Sequence, residues 1–390
     1  MERLLHTPEG VRDIYNEECE RKLSIQQEMH RVLKSYGYRD IETPTFEFFD
    51  VFSQDVGTTP SKELYKFFDR EGNTLVLRPD ITPSIARAVS KYFRDEDHAI
   101  RLCYVGKTFI NNSSYQGLLK ENTHLGAELI GRDSAQADAE IIAMVVDCLK
   151  ASGLEEFQIS IGQVKYFKSI IKEIDMADET ETQLKDYISN RNIFGAQAML
   201  SSMDIDENVK KALVSLPELY GTVEILDKAE ALAVNEDARN AVVRLKEIYS
   251  ILKCYGITKY ISFDLSMLSR YNYYTGIFFR GYTFGSGDAV VKGGRYDHLL
   301  QHFGKDAPSI GFVAVTDQLL AALSRQKIEI STGEELLHLY YTQEQQSMAI
   351  HLAGKMRGLG KRVALDCVPK EEEEMTHPLL TLCKKYNIEE

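Results

Sequence analysis

Apolar residues recur at helical spacing at Leu23, Ile25, Met29, Val32 and Leu33, and the run closes at Gly37. The pattern predicts a helix over residues 17–37. A strand over 40–44 should follow. It ends on Pro44, which has no N–H for a central ladder, so it belongs at a sheet edge or an interface. Residues 65–68 and 74–77 flank the turn Glu71-Gly72-Asn73 and predict a β-hairpin. Residues 83–93 read as a helix. Residues 100–109 and 126–131 read as strands joined by a long polar loop, and 135–151 as an amphipathic helix. From 172 to 258 the pattern shifts to Ala, Leu, Lys and Glu at helical spacing, which predicts an inserted helical subdomain. Strands return at 260–265 and 273–282, before the turn Gly285-Ser286-Gly287-Asp288. A central antiparallel sheet interrupted by a helical insertion is expected. After Arg325 a strand (336–341), a helix (347–359), a strand (362–366) and a helix (379–386) predict a small α/β unit of parallel type.

Composition narrows the class. With 44% hydrophobic and 27% charged residues the chain is globular in make-up, and no stretch reaches the roughly 18 apolar residues of a membrane helix. The N-terminal residues lack an apolar segment after Arg3, so neither a secretory signal nor a transit peptide is read there, and a cytoplasmic protein is expected. Cys19, Cys103, Cys148, Cys254, Cys367 and Cys383 are scattered without metal-ligand spacing, so free and mostly buried thiols are expected, with no metal and no cofactor. A net charge of −13 argues against a broad polyanion-binding surface. The acidic run 371–374 reads as a solvated face.

Three segments carry the chemistry: Leu77-Arg78-Pro79-Asp80-Ile81-Thr82, Asn272-Tyr273-Tyr274-Thr275-Gly276 and Gly293-Gly294-Arg295-Tyr296-Asp297. Taken singly, each has an ordinary structural explanation. Tyr271, Tyr273 and Tyr274 suit a half-buried sheet surface. The segment 293–297 suits a turn with a buried Arg–Asp pair, and His124 in a polar loop suits the protein surface. Glu128 is harder to set aside, because a carboxylate among apolar strand residues is costly without a partner.

In combination and in this order the three segments resemble the catalytic core of class II histidyl-tRNA synthetases. The likeness runs over residues 8 to about 325, and Tyr36-Gly37-Tyr38 with Ile41 and Pro44 resembles the class II dimer motif. The resemblance implies an α+β fold, a class II synthetase-like antiparallel sheet flanked by helices. Its core would span 1–171 and 259–325, with a helical insertion at 172–258. A small, apparently truncated α/β domain at 326–390 would stand where such synthetases carry an anticodon-binding domain.

The resemblance also implies a histidine pocket, with Asp80 for the ammonium group, and Glu128 and Tyr274 for the two imidazole nitrogens. Thr82 and Tyr273 would support them. Asp80 is one methylene shorter than the glutamate usual in the family, and His124 stands where a glutamine would help hold the amino group. The arginines that such enzymes set around ATP are not matched. Ile110 and Gln318 occupy the places of the second-motif and third-motif arginines, Asn112 that of an acidic residue, and Ser269 that of the arginine beside the tyrosines, with Arg270 one residue too late. Fixed cations usually do more than any other group to stabilise the charge moving through a triphosphate, and each donor lost costs about 3–4 kcal/mol. A chain that keeps the amino-acid pocket without them resembles the synthetase-like regulatory subunits of ATP phosphoribosyltransferase. The resemblance implies a non-catalytic partner of a short catalytic subunit, a homodimer through the Pro44 region, histidine as feedback effector, and no tRNA. The alternative is a divergent, active histidine–tRNA ligase. A third reading is an interaction module that has lost the pocket.

Overall fold

The computed structural model describes residues 5–53, 59–112, 119–174, 176–268, 273–333 and 335–386, without the side chains of 371–373 and 384. The chain divides into two compact units, 1–330 and 331–390.

In the first unit, α1 (Asn16–Ser35) buries Ile25, Met29 and Leu33 on one face and ends before Gly37, whose φ of 83° suits glycine. β1 is only Arg39–Asp40, so the strand expected over 40–44 stops early. It does lie at a sheet edge, paired parallel with the strand containing Leu102 and Cys103. Residues 43–44 instead serve Arg78: its guanidinium donates to the Thr43 carbonyl (2.6 Å), the Pro44 carbonyl (3.3 Å) and the Lys107 carbonyl (2.8 Å). β2 (Phe46–Phe48), absent from the sequence reading, joins β3 (Lys66–Phe68) and β4 (Thr74–Leu77) in a separate antiparallel three-stranded sheet. The hairpin turn is held by Asp69, which accepts from the backbone amides of Glu71 and Asn73.

α2 (Thr82–Tyr92) leads into β5 (Ile100–Phe109) and β6 (Glu121–Ile130). β6 begins five residues before the expected start at 126, because the polar stretch Glu121–His124 pairs with residues 106–109 of β5. The expected long loop is correspondingly shorter. α3 (Ala135–Ala151) is capped by Ser134, whose hydroxyl accepts from the Ala137 amide. Its expected amphipathic character gives way to burial on most sides, since it packs between the sheet, α1 and a later helix. β7 (Phe157–Gln163) and α4 (Val164–Ile171) were not anticipated.

Helices α5 (Asp178–Ser189), α6 (Ile193–Ser201), α7 (Glu207–Ser215), α8 (Ile225–Ala231) and α9 (Glu236–Cys254) follow, with the two-residue β8 (Tyr220–Gly221) among them. Side-chain caps at Asn192, Asp206 and Asn235 start three of these helices. Their buried faces join the core formed by α1 and α3. β9 (Ile261–Asp264), β10 (Ile277–Thr283), β11 (Val291–Arg295), β12 (Ser309–Val315) and α10 (Thr316–Gln326) complete the unit. Gly293-Gly294-Arg295 therefore lies inside a central strand rather than in a turn.

The main sheet runs β1-β5-β6-β12-β11-β10-β7-β9-β8. From β5 to β7 its pairings are antiparallel. The expectation of an antiparallel sheet fails at β1–β5 and β7–β9, which are parallel. Because side chains alternate faces, Leu125, Ala127 and Leu129 of β6 enter the core with α1 and α3. Leu102, Tyr104 and Ile130 point the other way, into a second cluster with Ile85 and Val89 of α2 and Leu299 and Leu300.

The second unit has its own core. β13 (Leu336–Tyr341), α11 (Gln346–Gly358), β14 (Arg362–Cys367) and α12 (His377–Lys385) enclose Leu339, Leu352, Met356 and Leu379, with β13 and β14 parallel. Glu374 is exposed. Of the cysteines, Cys103, Cys148 and Cys383 are buried, whereas Cys254 and Cys367 are exposed against expectation.

Candidate functional site

The face of the sheet turned away from α1 and α3 carries an uninterrupted row across six strands: Leu102, Glu128, Gly311, Gly294, Phe278 and Gly162. Three members are glycines, and Gly126 lies in the next row beside Tyr104. The missing side chains make a shallow trough in which larger neighbours lie flat. A Cβ at Gly311 would run into the Glu128 carboxylate, and one at Gly294 would stand 2.6 Å from the Tyr274 ring. At Gly126 a Cβ would meet the Tyr104 hydroxyl at 2.6 Å, and at Gly162 the Phe278 ring at 2.8 Å. The glycines are therefore required by close approach rather than by backbone conformation.

Glu128 is 1% exposed. Both carboxyl oxygens are held by hydroxyls: Thr82 Oγ1 donates to Oε1 at 2.7 Å, and the Tyr296 hydroxyl donates to Oε2. Burial outweighs these bonds, and with some help from the negative charge of Asp80 it pushes the Glu128 pKa up to about 8. Tyr104, Tyr273 and Tyr296 are driven well above the usual phenol range, first by burial and then by neighbours that include Glu128 and Asp80. They remain O–H donors. The Tyr104 hydroxyl is buried with no hydrogen bond of good geometry, although Thr82 lies close. Tyr274, 9% exposed, stacks on Tyr273 (4.3 Å between centroids) and on Phe278 (5.7 Å). Asp80 precedes α2, and its Oδ1 accepts from the amides of Ile81 (2.7 Å) and Thr82 (3.4 Å).

Asp80, Thr82, Glu128, Tyr273 and Tyr274 thus converge on one trough. Two members of the cluster had no role assigned from sequence. Tyr104 shares the parity of Glu128 on the adjacent strand, a signal that needs the register, and Tyr296 lies within the quoted Gly293–Asp297 segment. His124 is on the same face of β6 but four residues from Glu128, about 13 Å along the strand. It is no surface loop residue. Burial lowers its pKa to about 4, a ring nitrogen lies 3.3 Å from Thr108 Oγ1, and its Nδ1 has no partner. Ile110, Asn112 and Gln318 are half-buried, and the side-chain oxygens of Asn112 and Gln318 are buried without partners. Ser269, Arg270, Tyr271 and Asn272 lie outside the described residues.

Arg295 faces the opposite side of the sheet. Its guanidinium bonds Asp138 (2.6 Å) and Asp297 (3.1 Å), and Asp138 also accepts from Arg244 (2.9 Å). This is a buried ion-pair network that ties β11 to α3 and α9, so the expected Arg–Asp pairing is present, with Arg295 at the end of a strand rather than in a turn.

A mixed sheet flanked by helices is the architecture of the histidyl-tRNA synthetase-like class II proteins. The profile of the family described as Histidyl-tRNA synthetase matches residues 10–319. A histidyl-tRNA synthetase from Nostoc shares the fold at a TM-score of 0.80, with 19% identity over 98% of this chain and 90% of its own. Within that class, an ATP phosphoribosyltransferase regulatory subunit from Acetivibrio thermocellus is 37% identical over 93% of this chain and 87% of its own length. One from Clostridium acetobutylicum is 35% identical over 98% and 93%. A solved structure from Bacillus halodurans, described as an ATP phosphoribosyltransferase regulatory subunit/histidyl-tRNA synthetase, superposes at a TM-score of 0.85, with 32% identity over 94% and 93%. The chain belongs to the family of ATP phosphoribosyltransferase regulatory subunits.

Proposed function

We propose that this chain is a non-catalytic regulatory subunit of ATP phosphoribosyltransferase. It supports the activity of a short catalytic subunit and brings feedback inhibition by histidine to the first step of histidine biosynthesis. The observation that carries this reading is Glu128, a buried carboxyl in a trough lined by hydroxyls. Such a group suits an imidazole N–H, because an unpartnered buried polar atom costs about 1–3 kcal/mol. In this reading Tyr274 meets the other ring nitrogen, Asp80 and His124 hold the amino group, and Thr82 and Tyr273 support the walls. Ile110 and Gln318, in the places where the family resemblance expects arginines, supply no fixed cation for a triphosphate, which disfavours adenylate formation.

Regulation then follows from linkage. Histidine binds the inhibited arrangement of the complex more tightly than the active one, and the difference passes to the partner as a coupling of about 1–3 kcal/mol, or roughly 5- to 150-fold. The same reading takes 1–171 and 259–325 as the synthetase-like core, 172–258 as an insertion and 326–390 as a vestigial or partner-binding domain. It takes the Pro44 region as a homodimer contact and needs neither tRNA nor a cofactor. The reading places the chain beside a biosynthetic enzyme of the cytoplasm; among the described residues no helix is long and apolar enough to cross a membrane.

Calorimetry with histidine and with ATP, together with phosphoribosyltransferase assays of the co-purified complex, tests the proposal. Histidine alone should bind, and it should inhibit the complex. Histidine-dependent pyrophosphate exchange by the isolated chain would establish a ligase instead. Absence of histidine binding, with partner activity intact, would leave only a scaffold.

A further inference from the structure

Away from the trough, three side chains of different chemistry converge where α1 meets the sheet edge. His30 projects from α1, Asp40 from β1, and Cys103 from the position on β5 paired with Asp40. One ligand atom from each lies within 4.8 Å of the other two, and this is the one such group of three among the described residues. The Asp40 carboxylate is divided between two tasks. Its Oδ2 accepts from the Lys34 ammonium at 2.7 Å, which already answers its charge. Its Oδ1 faces both His30 Nε2 at 2.5 Å and Cys103 Sγ at 3.4 Å.

We propose that His30, Asp40 and Cys103 form a binding site for a divalent cation of the zinc type. An imidazole nitrogen, a carboxylate oxygen and a thiolate sulfur are the donors that this borderline-soft ion takes. Bond lengths of about 2.0–2.3 Å in a tetrahedral arrangement place donor atoms about 3.4 Å apart. The sulfur–oxygen separation has that value already. The nitrogen–oxygen separation must open by roughly 1 Å, a motion available to His30, whose side chain is 34% exposed. Cys103 is fully buried behind the pair, while the Asp40 side chain is 59% exposed, so the ion enters from solvent and the fourth position is open to water. Binding releases the thiol proton of Cys103 to solvent, and the ion replaces the hydrogens now shared with Oδ1. The chemistry was hidden in the sequence because its residues sit on three elements with no recognisable spacing. A bound ion would clip α1 to the edge strand that leads into the Thr43–Pro44 segment held by Arg78. The site stands independently of the histidine reading.

The test uses the full chain with zinc and with cobalt as a spectroscopic substitute. Expected are one cobalt ion per chain, a thiolate-to-cobalt charge-transfer band, and a rise in thermal midpoint with zinc. In Cys103→Ser, checked for native circular dichroism, the band disappears. In His30→Ala, whose changed side chain is partly exposed, zinc affinity falls by more than about tenfold, the least that loss of even an outer partner produces. Equal binding by the wild type and both variants would place the ion elsewhere. No binding by the wild type would leave a simple His30–Asp40–Lys34 ion-pair cluster. Either result overturns the proposal.

Discussion

Replacing Glu128 by glutamine should raise the stability of the fold while weakening its ligand binding. Burial raises the carboxyl pKa from an ordinary 4.5 to about 8. The native chain therefore keeps a proton that the unfolded chain releases, and stability falls as pH rises between those two values. Near pH 7, at about 1.4 kcal/mol per pH unit, this removes roughly 3 kcal/mol from the folding free energy. Glutamine has no proton to hold. Its amide nitrogen cannot accept from Thr82 or Tyr296, however, and one lost hydrogen bond costs about 1 kcal/mol. Glu128→Gln should then be about 2 kcal/mol more stable than the wild type near pH 7, with the gap closing towards about pH 5.

Histidine binding moves in the opposite direction. Loss of the carboxyl partner leaves a buried ring N–H unpaired, at about 1–3 kcal/mol, or roughly 5- to 150-fold in affinity. The chain has no tryptophan, so urea unfolding is best followed by far-ultraviolet circular dichroism across that pH range, with calorimetry for histidine. A stability difference that does not change with pH would show that Glu128 is not held protonated. Unchanged histidine affinity would remove it from the pocket.

Three further outcomes are expected. Arg295→Met leaves Asp138 with Arg244 alone, so urea unfolding should show a loss of about 3 kcal/mol, the lower end for a broken buried pair. Gly294→Ala puts a methyl group 2.6 Å from the Tyr274 ring; overpacking costs about 1–3 kcal/mol, and calorimetry should show histidine affinity reduced at least about tenfold as Tyr274 is displaced. His124→Leu should flatten the acid limb of the stability profile. Burial lowers the His124 pKa from 6.5 to about 4, so the wild type loses up to about 3 kcal/mol as pH falls through that window, and urea midpoints measured across it would show whether the variant escapes the loss.

What could be read from sequence depended on how far away each residue's partner lies. The hairpin was legible because Asp69 ties its own turn through Glu71 and Asn73, and α3 because its apolar residues recur at helical spacing within one unbroken run. The first half of β6 was not. Glu121 to His124 are polar and resemble a loop, yet Thr123 donates its amide to the buried carboxylate of Asp317, which also binds Lys22. Lys22 and Asp317 meet there from positions 295 residues apart in the chain, and no local pattern announces them. The trough shows the same limit more sharply. Glu128 stood out because a carboxylate among apolar strand residues demands a partner, but the demand does not say which hydroxyl answers it. Tyr296 was visible within a motif and Tyr104 within a strand. Neither could be joined to Glu128 until the register placed Gly126, Gly294 and Gly311 on one face. In this fold the glycines are the determining residues of the site, since each absent side chain is the space in which a tyrosine ring or the Glu128 carboxyl lies. A sequence displays side chains that are present; the shape of this pocket is set by those that are missing, which is why its chemistry was easier to read than its geometry.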